Sequence, residues 1–233
     1  MERFENCLYR EVCVYEEPCR NACVRYSVTK YMLEHSNIPK SKWGIHKLVP
    51  DECDVKAFEN LAYIRDNIVE FTDNGHSLYI YSDTCGNGKT TWATKLVLQY
   101  FNEVWEHTGY NARGVFINVP TFLYQCKSNI SRPTAEFEEL RDSLFKVDLV
   151  VWDDIAAAKI SDYDFSTILS ILDSRVYKQK ANIYTSNISP QNIENYVGAK
   201  LASRIAKGIT IQLRGGDKRN GSTASSHFEN LSV

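Results

Sequence analysis

No stretch of this sequence approaches the apolar length of a membrane span, so nothing in it reads as a transmembrane helix. The start, MERFENCLYREVC, is charged and lacks the continuous apolar run of a secretory signal, and the expectation is a protein of the cytoplasm. A general excess of positive charge is also missing. The formal net charge of -2 excludes a uniformly basic coat for nucleic acid, so contact with DNA requires a local patch. One such patch runs from Tyr196 to Arg219, where Lys200, Arg204, Lys207, Arg214, Lys218 and Arg219 face one acid, Asp217. The ordinary alternative is a solvated basic helix face.

What is present suits one α/β domain with a small appendage: 233 residues, 43% of them hydrophobic, are enough to bury a full core. Four of the seven cysteines crowd the first 23 residues, at Cys7, Cys13, Cys19 and Cys23. Disulfides do not persist in a reducing compartment, so four thiolates around one tetrahedral zinc is the leading account. An iron–sulfur cluster and unliganded thiols are the alternatives. His35 and His46 could each replace a thiolate. The expectation is a Cys-rich module over residues 1–35 that makes protein contacts, a connector over 36–53, a catalytic domain over 54–219 and a loose tail over 220–233.

The chemistry centres on Ser77 to Trp92, SLYIYSDTCGNGKTTW, an apolar strand that breaks into a glycine-containing turn and then a helix. Gly88, Lys89 and Thr90 fit the phosphate-binding pattern G-x-x-x-x-G-K-[ST], whereas Asp83 stands where the first glycine belongs. Gly86 and Gly88 let the backbone curl around a polyphosphate, with N–H groups from Cys85 through Thr91, Asn87 included, turned toward it. The helix beginning near Lys89 adds its positive end. Lys89 reaches the outer phosphates, and the Thr90 hydroxyl takes one position around a magnesium ion.

Upstream, Asp54 to Thr72 carries apolar residues at helical period, with Asp51 or Asp54 as cap. Strands are expected over 78–81, 114–119, 147–152, 181–185 and 209–213, interleaved with helices. Lys127 and Arg132 lie on a polar loop where they could touch phosphates, the ordinary alternative being solvent exposure. The run Val147 to Trp152 ends in Asp153 and Asp154, the second half of a nucleotide site: Asp153 holds the magnesium and Asp154 polarises the attacking water. A polar side chain at the end of the fourth strand, near Ser186 and Asn187, faces the outermost phosphate.

In this order the motifs resemble an AAA+ ATPase core. Specifically, CGNGKTT, FINVP, LVVWDDI, ILDSRVYKQKANIYTSNIS and LASRIAKG leading to QLRGGDKR resemble the DnaC/DnaI-type replicative helicase loaders and their IstB transposition relatives. The resemblance implies ATP with magnesium as cofactor, a parallel sheet flanked by helices without a C-terminal helical lid, and slow ATP hydrolysis. It implies that Asn187 positions the lytic water, that Arg204 acts as a finger on the neighbouring subunit's nucleotide, and that Arg219 contacts nucleotide. The implied partners are a replicative helicase, single-stranded DNA and further copies of the chain in a ring or spiral. A transposition helper and an ATP-switched DNA-binding adaptor are the alternatives.

Overall fold

The computed structural model describes residues 23–43 and 48–218. Cys7, Cys13, Cys19, His46, Arg219 and the expected tail lie outside these residues. In chain order the elements are α1 (Val24–Glu34), α2 (Val55–Asp66), α3 (Ile68–Asp73), β1 (Ser77–Tyr81), α4 (Lys89–Thr108), β2 (Gly114–Asn118), α5 (Val119–Ser128), α6 (Ala135–Lys146), β3 (Leu149–Asp153), α7 (Asp162–Tyr177), β4 (Ala181–Ser186), α8 (Glu194–Ile205) and β5 (Ile209–Gln212), with short 3-10 turns at Lys40–Lys42 and Glu52–Asp54.

All strand pairings are parallel, and the spatial order is β2-β3-β4-β1-β5. β3 and β4 are buried along their whole length, as expected of parallel strands covered on both faces. Alternate residues supply two cores. Leu78, Ile80, Val151 and Ile183 pack under α1 to α4, with Leu61, Leu96 and Phe101. Tyr79, Val150, Trp152 and Tyr184 face the other way, against Phe122, Leu144, Ile168 and Leu201 of α5 to α8. None of the described helices is long and apolar enough to cross a membrane.

Local chemistry sets the helix ends. Asn118 accepts a hydrogen bond from Thr121 N–H at the start of α5, Thr134 does the same for Phe137 in α6, and Ser161 with Asp164 forms a capping box on α7. The periodic stretch expected as one helix over 54–72 is two, because the chain leaves helical geometry at Asn67 (φ -116°, ψ 29°), whose Nδ2 caps the Tyr63 carbonyl at 2.8 Å. Neither Asp51 nor Asp54 caps α2 through its side chain; both serve a distant segment described below. The last helix is interrupted at Gly198, which takes φ 77°.

The boundary expected after residue 35 falls inside a packed unit. Val28, Met32, Leu33 and Ile38 belong to the same core as α4. Beyond α1 the chain follows the outer edge of the sheet: Phe116 N–H donates to the Ser36 carbonyl at 2.7 Å, and Asn37 Nδ2 donates to the Phe116 carbonyl at 2.9 Å. His35, considered as a metal ligand, instead places Nδ1 2.8 Å from the Tyr31 carbonyl and stacks on the Tyr31 ring.

The ends of the strands away from the nucleotide loop are held by buried charge. Arg175 is fully buried and donates to Asn182 Oδ1 and to the carbonyls of Leu144, Val147, Asp148 and Ala181, joining α6, α7, β3 and β4. Burial lowers its pKa to about 10. Beside it, Asp148 pairs with Arg113 and Lys180.

Candidate nucleotide site

The site forms at the carboxyl ends of β1, β3 and β4, beside the point where the strand order turns back on itself, the usual place for a ligand in an open α/β sheet. The loop after β1 curls because Gly86 (φ 76°) and Gly88 (φ 103°) adopt left-handed backbone. Asp83 is exposed and has no left-handed φ, which explains why a non-glycine residue is tolerated at the first position of the pattern. The first intrahelical bond of α4 runs from Trp92 N–H to the Gly88 carbonyl, so the N–H groups of Lys89, Thr90 and Thr91 precede it and form an anion-attracting terminus.

Within the loop, Lys89 Nζ donates to the Thr84 carbonyl at 2.9 Å and to Asn87 Oδ1 at 3.3 Å. Asn87 is fully buried, and its Nδ2 donates to Ser82 Oγ, to Thr84 Oγ1 at 3.2 Å and to the Leu213 carbonyl at 3.3 Å. Its side chain is therefore an internal brace, which leaves only its backbone for a ligand. Cys85 is exposed on the loop, with Sγ 3.8 Å from Nδ2 of Asn187.

The loop helix meets the acidic strand end directly. Thr90 Oγ1 donates to Asp153 Oδ1 at 2.8 Å, and Thr185 Oγ1 donates to the same oxygen at 2.6 Å. Thr185 also accepts the Asp154 N–H at 3.0 Å, holding Asp154 in a left-handed conformation (φ 57°). Burial, and then the neighbouring Asp153 charge, push the Asp154 carboxyl above the ordinary carboxylate range, against the pull of Lys89 and Lys42. A hydroxyl and a carboxylate at hydrogen-bond distance, both hard oxygen donors, suit a magnesium ion that keeps several waters. A glycine nest, a lysine and a helix terminus suit a triphosphate.

The structure thus brings together Cys85, Gly86, Asn87, Gly88, Lys89, Thr90, Thr91, Asp153, Asp154 and Asn187. Arg204, in the last turn of α8, engages Asp173 of α7 at 2.6 Å instead of any group of the loop. Lys127, considered for phosphate contact, is paired with the buried Asp164 at 2.9 Å. Of the four clustered cysteines only Cys23 is described, as a free thiol, and no group of three or more metal-binding side chains occurs among the described residues. Thr185 was not singled out by sequence. The parallel register that lays Tyr184 beside Trp152, and so carries Thr185 to Asp153, is the clue that could have found it.

Residues 56–212 match the family described as the bacterial DnaA ATPase domain. No curated protein matches the sequence. Among solved structures, the DnaC helicase loader aligns with a TM-score of 0.61 at 16% identity, covering 75% of this chain and 99% of the loader chain. DnaI gives 0.59 at 20%, covering 76% and 95%. A replication initiator DnaA bound to AMPPCP and single-stranded DNA gives 0.55 at 20%, covering 79% and 50%. The chain spans about half the length of a DNA replication initiation factor and of two AMPPCP-bound DnaA chains. Matched over most of its described length, the chain belongs to the bacterial DnaA ATPase-domain family and carries the AAA+ fold found also in the DnaC helicase loader and DnaI.

Proposed function

We propose that this chain is an ATP-dependent replication protein that loads a replicative helicase onto single-stranded DNA. The observation that carries the ATPase part is the Thr90–Asp153 bond, which joins the phosphate-loop helix to the acidic strand end in a family of ATPase domains. Support for a loader comes from the fold similarity to the DnaC helicase loader and DnaI, which runs over 75% and 76% of this chain. The DnaA complex with AMPPCP and single-stranded DNA supports the choice of ligands by fold analogy.

In this reading Lys89 binds the outer phosphates, Thr90 and Asp153 hold magnesium, Asp154 polarises the attacking water and Asn187 orients it. Arg204 leaves Asp173 to reach a neighbouring subunit's nucleotide, so the working form is a homo-oligomer. Arg219 assists at the nucleotide, and Cys7, Cys13, Cys19 and Cys23 bind one zinc in a helicase-contacting segment. Elemental analysis of the purified chain tests the zinc: a metal content near zero discards it.

The main experiment measures ATP turnover with and without single-stranded DNA for wild type, Lys89→Ala and Arg204→Ala. Turnover that responds to DNA and falls to background in both variants supports the oligomeric ATPase. Nucleotide binding without turnover favours a second reading, an ATP-switched adaptor. The observation on its side is Asp154, a short carboxylate fixed by its backbone and pushed toward its neutral form.

A further inference from the structure

Beyond β5 the chain runs across the back of the phosphate loop and is tied on both sides. On the loop side, Asn87 Nδ2 donates to the Leu213 carbonyl at 3.3 Å, Thr84 Oγ1 to the Gly215 carbonyl at 3.0 Å, and Lys218 N–H to the Gly86 carbonyl at 2.9 Å. On the other side, the Asp54 carboxylate accepts the N–H of Arg214 at 2.7 Å and that of Gly215 at 2.9 Å. Asp51 accepts Gly216 N–H and Lys218 Nζ, both at 3.0 Å. The approach is so close that a Cβ on Gly215 would lie 1.9 Å from Asp51 Oδ2 and 2.7 Å from Asp54 Oδ2.

Asp54 stands at the N-cap of α2 yet makes no side-chain bond to that helix, and it is fully buried. A buried carboxylate is costly unless its oxygens are satisfied, and here each takes a backbone N–H from residues 160 and 161 positions away. The loop it indirectly braces contains two glycines in left-handed backbone, a flexible sequence whose freedom has to be removed before its donors can converge on a ligand. The residues that hold segment 213–218, Thr84 and Asn87, also supply the acceptors of Lys89.

We propose that Asp54 is a positioning residue of the nucleotide site: through residues 213–218 it fixes the phosphate loop in its ligand-ready shape, and the segment in turn responds to nucleotide. The inference rests on the reading of this loop as an ATP site. By reciprocity, whatever the segment adds to nucleotide affinity, nucleotide adds to the order of the segment.

The test uses the full chain. Binding of a fluorescent ATP analogue with magnesium is titrated for wild type, Asp54→Ala, Asp54→Asn, Lys89→Ala and Leu61→Ala, the last a buried α2 residue outside the site that serves as a control for destabilisation. Amide hydrogen exchange across residues 213–218 is followed in wild type with and without analogue. The expected results are affinity lowered about tenfold or more in Asp54→Ala, an intermediate loss in Asp54→Asn, whose amide offers one acceptor oxygen, and wild-type affinity in Leu61→Ala. Exchange in 213–218 slows when analogue binds. Wild-type affinity in Asp54→Ala, or a parallel loss in Leu61→Ala, overturns the proposal. If Asp54→Ala does not fold, the exchange experiment decides, and unchanged protection refutes the coupling. Lys89→Ala binding as tightly as wild type sinks the ATP-site reading itself, a failure separate from that of Asp54.

Discussion

Asp153 holds two threonine hydroxyls on one oxygen, and Thr185 is the less expendable of the two when no ligand is bound. It is fully buried, donates to Asp153 and accepts from Asp154, so a single hydroxyl aligns both carboxylates. Thr185→Val keeps the shape and removes both bonds. We expect a stability loss of about 1.5–3 kcal/mol, typical of a hydrogen bond to a charged group, and weaker binding of magnesium nucleotide. Denaturant unfolding together with a magnesium titration measures the two; a variant unchanged in both would show that the threonine is incidental. Lys89, Thr90 and Asp153 are legible in the sequence because a short local pattern encodes them. Thr185 is not, because its partner is set by strand register across the sheet. The pairing of Lys127 is hidden for the same reason: its partner Asp164 lies 37 residues further along the chain.

Strands are the most legible elements, above all β3, whose unbroken apolar run Leu149 to Trp152 only a two-sided core explains. The break between α2 and α3 was hidden because the apolar period continues through Asn67, whose side chain turns back to Tyr63 only once the helix has formed. The joint between elements with the most at stake is Arg175. Arg175→Met fills similar space but removes five donated bonds, to four carbonyls and to Asn182 Oδ1, and we expect a loss of about 3–5 kcal/mol in urea unfolding. Arg175→Lys keeps the charge with fewer donors and should recover only part of it. Asp148 supplies the acid sensitivity of the same joint. Burial pushes its carboxyl up, but the bond from Lys180 and the charge of Arg113 outweigh this and hold it below the ordinary value. A carboxyl depressed in the folded state contributes stability above its unfolded pKa of about 3.9 and loses it as pH falls through the lower folded value. The wild type should therefore weaken below about pH 4, and Asp148→Asn should flatten that limb of a stability-versus-pH curve.

At the scale of the whole molecule, the division expected from composition and prolines differs from the one that packing makes. Composition suggested a catalytic unit beginning at 54, but Val28, Met32, Leu33 and Ile38 are buried in its core. Burying each such side chain is worth about 1.5–3 kcal/mol as an upper estimate. A chain starting at residue 54 should melt well below the full protein or fail to stay in solution; an equal melting temperature would show α1 to be dispensable. The same N-terminal stretch has another role. An outer strand of a sheet offers its unpaired backbone to any extended chain that meets it, the first step of aggregation. At β2 that invitation is already answered from within, because Ser36 and Asn37 hold the free edge at Phe116. The opposite edge, β5, is four residues long. Residues 36 and 37 thus act as a selvedge, and a truncation that removes them leaves a sheet edge that can be extended by its neighbours.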